Sequence, residues 1–345
     1  PRPGVYNEQA PLDTSVEKFS DRDTLLLEVG VEELPHSDVK LLREQVPGLI
    51  SKLFAEERLE HGPLTVWVTP RRIAICIEDC VSHQEDVVEE ARGPAKKAAQ
   101  DDDGNWTMPA RKFAEAKGAT VDDIYFQQQG KAEYCFVKVE RKGRHLTELL
   151  SDILAKLISG VQFAKSMGWE DSTVSFSRPI RWLLAVHGEN PVPVSWRFAE
   201  AGEYTAERVL HSGTVSYGHR RLAGGAIEIP SAEAYLDVMR KHYVLPVREE
   251  RMAALRTEAE KLAQAEGLQL EDDPELFEEI IDIAEWPEPI LCAIPEDALE
   301  LPEEIVITPM KVYQRYIPLR NASGCLLYTS PSPRDRTRSR MPSSA

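Results

Sequence analysis

The 345-residue chain carries 41 Lys and Arg against 58 Asp and Glu, a formal net charge of −17, with 42% hydrophobic and 29% charged residues. That is the balance of a globular protein long enough for two or three domains at roughly 100–200 residues each. It excludes a transmembrane helix, since no run of about 18 apolar residues exists, and argues against a generic nucleic-acid binder, since phosphate contacts need Lys and Arg.

Residues 1–22 mix Pro, Gly, Asp and Ser without a period and read as a linker or loose arm. Thr24–Val29 is a short apolar run, predicted as a buried strand ended by Gly30. His36-Ser37-Asp38 offers a helix N-cap before Val39, Leu42, Val46, Leu49, Leu53 and Phe54, which fall at helical spacing; Pro47 is expected to kink that helix. Leu64–Val68 and Ile73–Ile77 alternate as strands around Thr69-Pro70-Arg71-Arg72. Lys96–Trp106 is polar loop, Ala110–Lys117 a helix stopped by Gly118, and Tyr134–Val139 a strand. Leu146–Met167 is predicted as one long helix, weakened at Gly160 by about 1 kcal/mol relative to Ala.

Three strands follow at Val174–Phe176, Arg181–Val186 and Val192–Phe198, the last two joined by a turn at Gly188–Pro191. Ser231 caps a helix through Arg240, Pro246 starts a highly charged helix closed by Gly267, and Pro274 starts a third that ends at Trp286-Pro287. There is no regular βαβ alternation and no internal repeat. The expected fold class is α+β and multidomain: a mixed strand and helix body over 23–200, then a mainly helical region with a few strands over 201–324. Residues 325–345 have no apolar period, concentrate four Arg between 334 and 340, and back-translate without a gap into a sequencing adapter. They are read as an adapter artefact and set aside.

Cys76, Cys80, Cys135 and Cys292 are scattered, which suggests a reducing compartment rather than a disulfide framework; Cys76 and Cys80 alone are too few ligands for zinc. No Gly-rich dinucleotide motif, Walker loop, HExxH, CxxC pair or GxSxG elbow is present. Glu28, Glu32 and Glu33 can do acid–base work or hold a magnesium ion, but read better as a solvated strand end meeting Lys or Arg.

The cations offer more. Arg71 and Arg72 at a tight strand connection can hold a phosphate bidentately or clamp the Glu32-Glu33 turn. Arg178 and Arg181 flank a strand start, where one can stack near Trp182 and an exposed one can meet RNA. His219 and Arg220, followed by Arg221, lie on a Gly-flanked loop suited to phosphate or base contact. Lys311 and Arg315, interleaved with Tyr313 and Tyr316, fit single-stranded RNA or an ordinary amphipathic segment.

Phe176–Gly188 (FSRPIRWLLAVHG) and Leu276–Leu319 resemble signature segments of the glycyl-tRNA synthetase beta subunit family of bacterial type. Leu26–Pro35 (LLEVGVEELP), Thr69–Ala74 (TPRRIA), Arg92–Ala95 (RGPA) and Gly218–Arg220 (GHR) agree, in the family's order and with roughly its spacing. The resemblance spans about Thr24 to Leu319, with two departures: Arg221 stands where the family usually has an aromatic residue, and Gly168 where it usually has a basic one.

The resemblance implies the N-terminal part of a non-catalytic, tRNA-binding subunit. ATP and Mg2+ would be bound by an alpha subunit, or by an alpha region fused upstream, which attaches glycine to tRNA(Gly); no cofactor is expected on this chain. The partners implied are that alpha subunit or region and tRNA(Gly), in a hetero-oligomer or fused dimer, with no membrane. The compartment implied is the cytoplasm, or a plastid or mitochondrion for a fused organellar enzyme. Arg71, Arg72, Arg178, Arg181, His219, Arg220, Lys311 and Arg315 are the expected tRNA contacts, with no catalytic and no metal-binding residue. The alternative is a non-enzymatic RNA-binding or assembly module on the same scaffold.

Overall fold

A computed structural model describes residues 19–330 apart from 102–103, 131, 170–173, 200–207, 296–297, 299 and 322–325. The chain divides into two compact units, His83–His145 and the remainder, so the second unit is inserted into the body expected over 23–200.

The larger unit is built on a seven-stranded sheet. Its elements in chain order are β1 (Arg22–Val31), α1 (His36–Glu56), β2 (Leu64–Thr69) and β3 (Arg72–Val81). The inserted unit contributes β4 (Val87–Ala95), α2 (Lys96–Ala99), α3 (Met108–Ala116), β5 (Tyr125–Gln129) and β6 (Ala132–Arg141). There follow α4 (Leu146–Gly160), the short pair β7 (Met167–Gly168) and β8 (Ser175–Phe176), β9 (Ile180–His187), β10 (Asn190–Pro191), β11 (Ser195–Ala199) and β12 (Arg208–Gly213). Next come the ribbon β13 (Val215–Tyr217) and β14 (Ala226–Glu228), then α5 (Tyr235–Lys241), α6 (Arg248–Ala265), β15 (Gln269–Leu270), α7 (Pro274–Ile283), β16 (Cys292–Ala293), β17 (Ile317–Arg320) and β18 (Leu326–Ser330).

The main sheet runs β11-β12-β9-β1-β3-β2, with β10 turned back onto β9. Its centre, β9-β1-β3, is antiparallel, and β12 joins β9 in parallel. Both faces of β1 are buried, which is why it reads as a continuous apolar run. Leu25, Leu27, Val29 and Val31 pack with α1 and α4 in the larger core. Leu26 belongs to a second core with Ala74, Leu184, Val186, Ile229, Tyr235 and Met239. Residues two apart share a face, so Glu28 falls on this second side with Leu26.

Several expectations need correction. Gly30 lies within β1, which ends one residue later at Val31, and it pairs with Arg72 of β3 and Trp182 of β9. Its missing side chain is what lets the Trp182 ring cross the sheet, since a Cβ there would lie 1.9 Å from the indole. Pro47 lies inside an unbroken α1, and α1 receives no side-chain cap, Pro35 standing at its N-cap. The long helix stops at Gly160, short of Met167. Pro274 and Asp273 do open α7 as a first-turn Pro and an N-cap that accepts from Leu276 N–H.

The inserted unit pairs β4-β6-β5 and packs a small core of Ala99, Ala110, Ala114, Ile124, Cys135 and Val137. In the larger unit β18 pairs with β16 and β17, although it falls in the segment read as adapter; residues 331–345 lie outside the described part, as do residues 1–18 of the expected arm. Among the described residues no helix is long and apolar enough to cross a membrane.

Replacing Gly30 with Ala is expected to cost about 3 kcal/mol, at the upper end of overpacking penalties, because the buried ring is tied to Glu28 and neighboured by Tyr217, Arg71 and Arg72. Urea unfolding of the variant checks this, and a loss below about 0.5 kcal/mol would mean that the indole does not lie over Gly30.

Candidate nucleic-acid interface

Arg72 is wholly buried and cannot reach RNA, so its expected role as a tRNA contact is corrected to that of a core clamp. It donates through Nε to Glu285 Oε1 at 2.8 Å and through a terminal nitrogen to Oε2 at 3.3 Å. Its other terminal nitrogen donates to Ser216 Oγ at 3.1 Å and lies 3.7 Å from Glu28. Burial alone would lower the Arg72 pKa, but Glu285 and Glu28 more than offset it and raise it.

Glu28 is likewise fully buried, not solvated as expected. It accepts from Trp182 Nε1 at 2.5 Å, Ser216 Oγ at 2.6 Å and the Tyr235 hydroxyl. Glu285 also accepts from Thr69 Oγ1 at 2.7 Å. Burial opposes its charge, yet Arg72 and Arg71 hold its carboxyl below the usual range. Buried Arg251 makes a second clamp, donating to the carbonyls of Leu245, Pro246, Ile281 and Val68. Desolvation brings its pKa down to about 10, still a cation at neutral pH.

Above the Arg72 clamp opens a cleft of about 410 Å³ lined by Glu33, Pro70, Arg71, His219, Arg220, Arg221, Glu285 and Trp286 among others. Arg71 projects from the β2–β3 turn, with its guanidinium 5.8 Å from the Trp182 ring centroid and one nitrogen donating to Gly218 O at 3.3 Å. Its Nε is buried and has no hydrogen-bond partner among the described residues. Gly218 admits no side chain, because a Cβ would lie 2.5 Å from Ala223 O; this sets the tight loop carrying His219. His219 Nδ1 accepts from the Leu222 and Arg221 amides at 3.2 and 3.4 Å, which assigns its proton to Nε2. Burial lowers the His219 pKa, and Arg71, Arg72 and Arg221 push the same way against Glu285.

The other expected tRNA contacts divide between the cleft rim and sites away from it. Arg220 is exposed and pairs loosely with Glu32 and Glu33 at 3.7 and 3.4 Å. Arg181 pairs with Glu32 at 3.0 Å and Arg178 donates to Glu33 O at 3.0 Å, so both brace the end of β1. The cations over Trp182 are Arg71 and Arg72, not Arg178 or Arg181. Lys311 pairs with Glu271 and Asp273, both at 2.7 Å, and Arg315 with Glu279 at 2.5 Å; neither lines the cleft. The structure thus gathers Arg71, His219 and Arg220 in one place and adds Arg221, Glu285 and Trp286. Sequence reasoning missed Glu285 and Trp286, whose only signal was the AEWPEP stretch after α7.

Fold and cleft define an α+β protein in which Arg71, Arg220, Arg221 and His219 meet Glu33 and Glu285 around one cleft of an acidic chain. The chain belongs to the family described as glycyl-tRNA synthetase beta subunit, which matches residues 25–329. It is 37% identical over 298 residues to a glycine–tRNA ligase beta subunit of Clostridioides difficile (strain 630), covering 86% of this chain and 42% of that protein. A Myxococcus xanthus (strain DK1622) protein of the same description is 35% identical over 302 residues, covering 88% and 41%. For Bacillus subtilis (strain 168) the figures are 33% over 309 residues, 89% and 43%. The chain therefore spans less than half the length of these relatives, in their N-terminal portion.

Glu285→Gln is expected to cost about 1.5–3 kcal/mol at pH 7, because it removes the charged acceptor of two Arg72 donors while Glu28 still faces the cation. The folded pKa of Glu285 lies below its ordinary 4.5. Its contribution is therefore present above that value and lost as pH falls through the lower, folded one. Denaturant midpoints followed from pH 6 down to 3 should fall more steeply for the parent than for the variant. Parallel curves would remove Glu285 from the acid transition.

Proposed function

We propose that this chain is the N-terminal portion of a glycyl-tRNA synthetase beta subunit that binds tRNA(Gly). It acts with an alpha subunit, or a fused alpha region, that binds ATP and Mg2+ and attaches glycine. The assembly is a hetero-oligomer or fused dimer working in the cytoplasm, or in an organelle for a fused enzyme.

The observation that carries this reading is the family match over residues 25–329. The cleft supports the binding role: its cations sit at the surface of an acidic chain, where net charge governs solubility and local patches govern binding. Arg220 is free to exchange partners, since exposed ion pairs contribute only about 0–1 kcal/mol. The chemistry of the cleft supports binding rather than group transfer. Its cations are always charged, its histidine is held neutral, and its one buried carboxylate is saturated by Arg72 and Thr69.

Two measurements test the reading. The chain alone should give no ATP–pyrophosphate exchange, and glycylation of tRNA(Gly) should appear only with an alpha subunit and full-length beta subunit together; exchange by the chain alone would overturn it. Replacing Arg220 and Arg221 with Ala should weaken tRNA(Gly) binding. The slope of log affinity against log salt should shrink by about 1 for each phosphate that is no longer neutralised. An unchanged slope would move the tRNA surface away from this cleft.

A further inference from the structure

We infer that the cleft between the β2–β3 turn, the Gly218–Arg221 loop and the segment after α7 is a site for a single unpaired nucleotide. The phosphate is held by Arg71, His219 and Arg221, and the base stacks against Trp286. The inference rests on the tRNA-binding reading and deepens it by naming what the site takes: one single-stranded nucleotide rather than duplex backbone.

Four observations carry it. Arg71 lines the cleft with its guanidinium immobilised over Trp182 and by Gly218 O, a fixed cation on the wall. The His219 ring is fixed by two backbone amides on Nδ1, so Nε2–H is a neutral, oriented donor on the same wall. Arg221 is exposed at the rim. Trp286 also lines the cleft, half-buried and edge-on to Tyr243 at 5.3 Å between centroids. Tyr243 itself is 42% exposed and held at φ +58°, a backbone region that bulky residues seldom occupy.

Cations alone would suit any polyanion. A rigid aromatic among them adds preference for a base that is not already stacked in a helix. The enclosure is of nucleotide size and too small to admit a duplex, about 410 Å³.

The test uses the 345-residue chain, a fluorescent four-nucleotide single-stranded RNA, the same sequence as a hairpin duplex, and tRNA(Gly), all at one salt concentration. The short strand should bind in preference to the duplex. Trp286→Ala should weaken it by roughly 5- to 100-fold, the range of one lost base stack, while Trp286→Phe retains most of the binding. Arg221→Glu, a change at an exposed side chain, should weaken it at least about tenfold with the circular dichroism and melting temperature unchanged. This second variant decides the matter if Trp286→Ala fails to fold.

Short-strand binding that is indifferent to Arg221→Glu and to any folded Trp286 variant would overturn the inference. If tRNA(Gly) still bound, the tRNA-binding reading would survive its failure. Sensitive short-strand binding without tRNA(Gly) binding would uphold the nucleotide site and sink the reading it rests on. Absence of both kinds of binding would end both.

Discussion

A fully buried arginine needs an acceptor for its donors and an answer to its charge, and the side chains around Arg72 supply both with carboxylates. Glu285 arrives from 213 residues away and Glu28 from the neighbouring strand. Two negative charges around one cation would leave Glu28 uncompensated, so it is completed by donors from Trp182, Ser216 and Tyr235. Trp182 reaches Glu28 across β1 only because residue 30 is glycine. One clamp thereby ties three strands of the sheet, the β13–β14 ribbon, α5 and the segment after α7 into a single polar core.

The clamp also explains where the cleft lies. Arg72 opens β3 and Arg71 is the turn residue just before it. Locking Arg72 inward sets Arg71 at the mouth, over the same indole. Arg251 reinforces the arrangement by holding the carbonyls before α6, at the end of α7 and on β2 in one guanidinium fork. Arg43 and Arg248 share Asp282 in the same region, joining α1 to α6 and α7. Buried and half-buried arginines therefore fasten the helical part of the chain alongside the apolar packing of α5 on the sheet.

Much of the secondary structure was legible from local signals: β1, β2, β3, β9 and α1 stand where apolar spacing predicts them, and α6 and α7 follow their Pro starts, whereas β12 goes unpredicted and β10 falls within a predicted turn. What was not legible has long-range causes. Glu28 reads as a strand-end carboxylate until β1 proves to be buried on both faces, and its partners Ser216 and Tyr235 lie 188 and 207 residues away. Gly30 reads as a stop, since nothing local reveals the indole laid over it. The inserted unit shares the mixed texture of the sequence on either side, so no change of composition marks its edges at His83 and His145. At the cleft, GHR and TPRR were legible as cationic turns, but that Trp286 joins them follows only from the packing of α7.

The cations of the cleft are of two kinds, and the difference decides what each contributes. Arg71 has lost its side-chain freedom in folding, held by an aromatic face and a carbonyl. A ligand that meets it therefore bears little of the ordering cost, roughly 0.5–1.5 kcal/mol for a mobile side chain of this size. A fixed donor discriminates by geometry, because an anion displaced from its line loses the bond. Arg220 and Arg221 are exposed, and Arg220 is shared between Glu32 and Glu33. They supply attraction at a distance and adapt to what arrives, with little directional demand. His219 adds a neutral donor whose direction is set by its own loop. For the polyanion proposed above, a rigid inner pair below a loose outer pair would attract broadly and then select by shape, which matters to a chain whose net charge repels that ligand elsewhere.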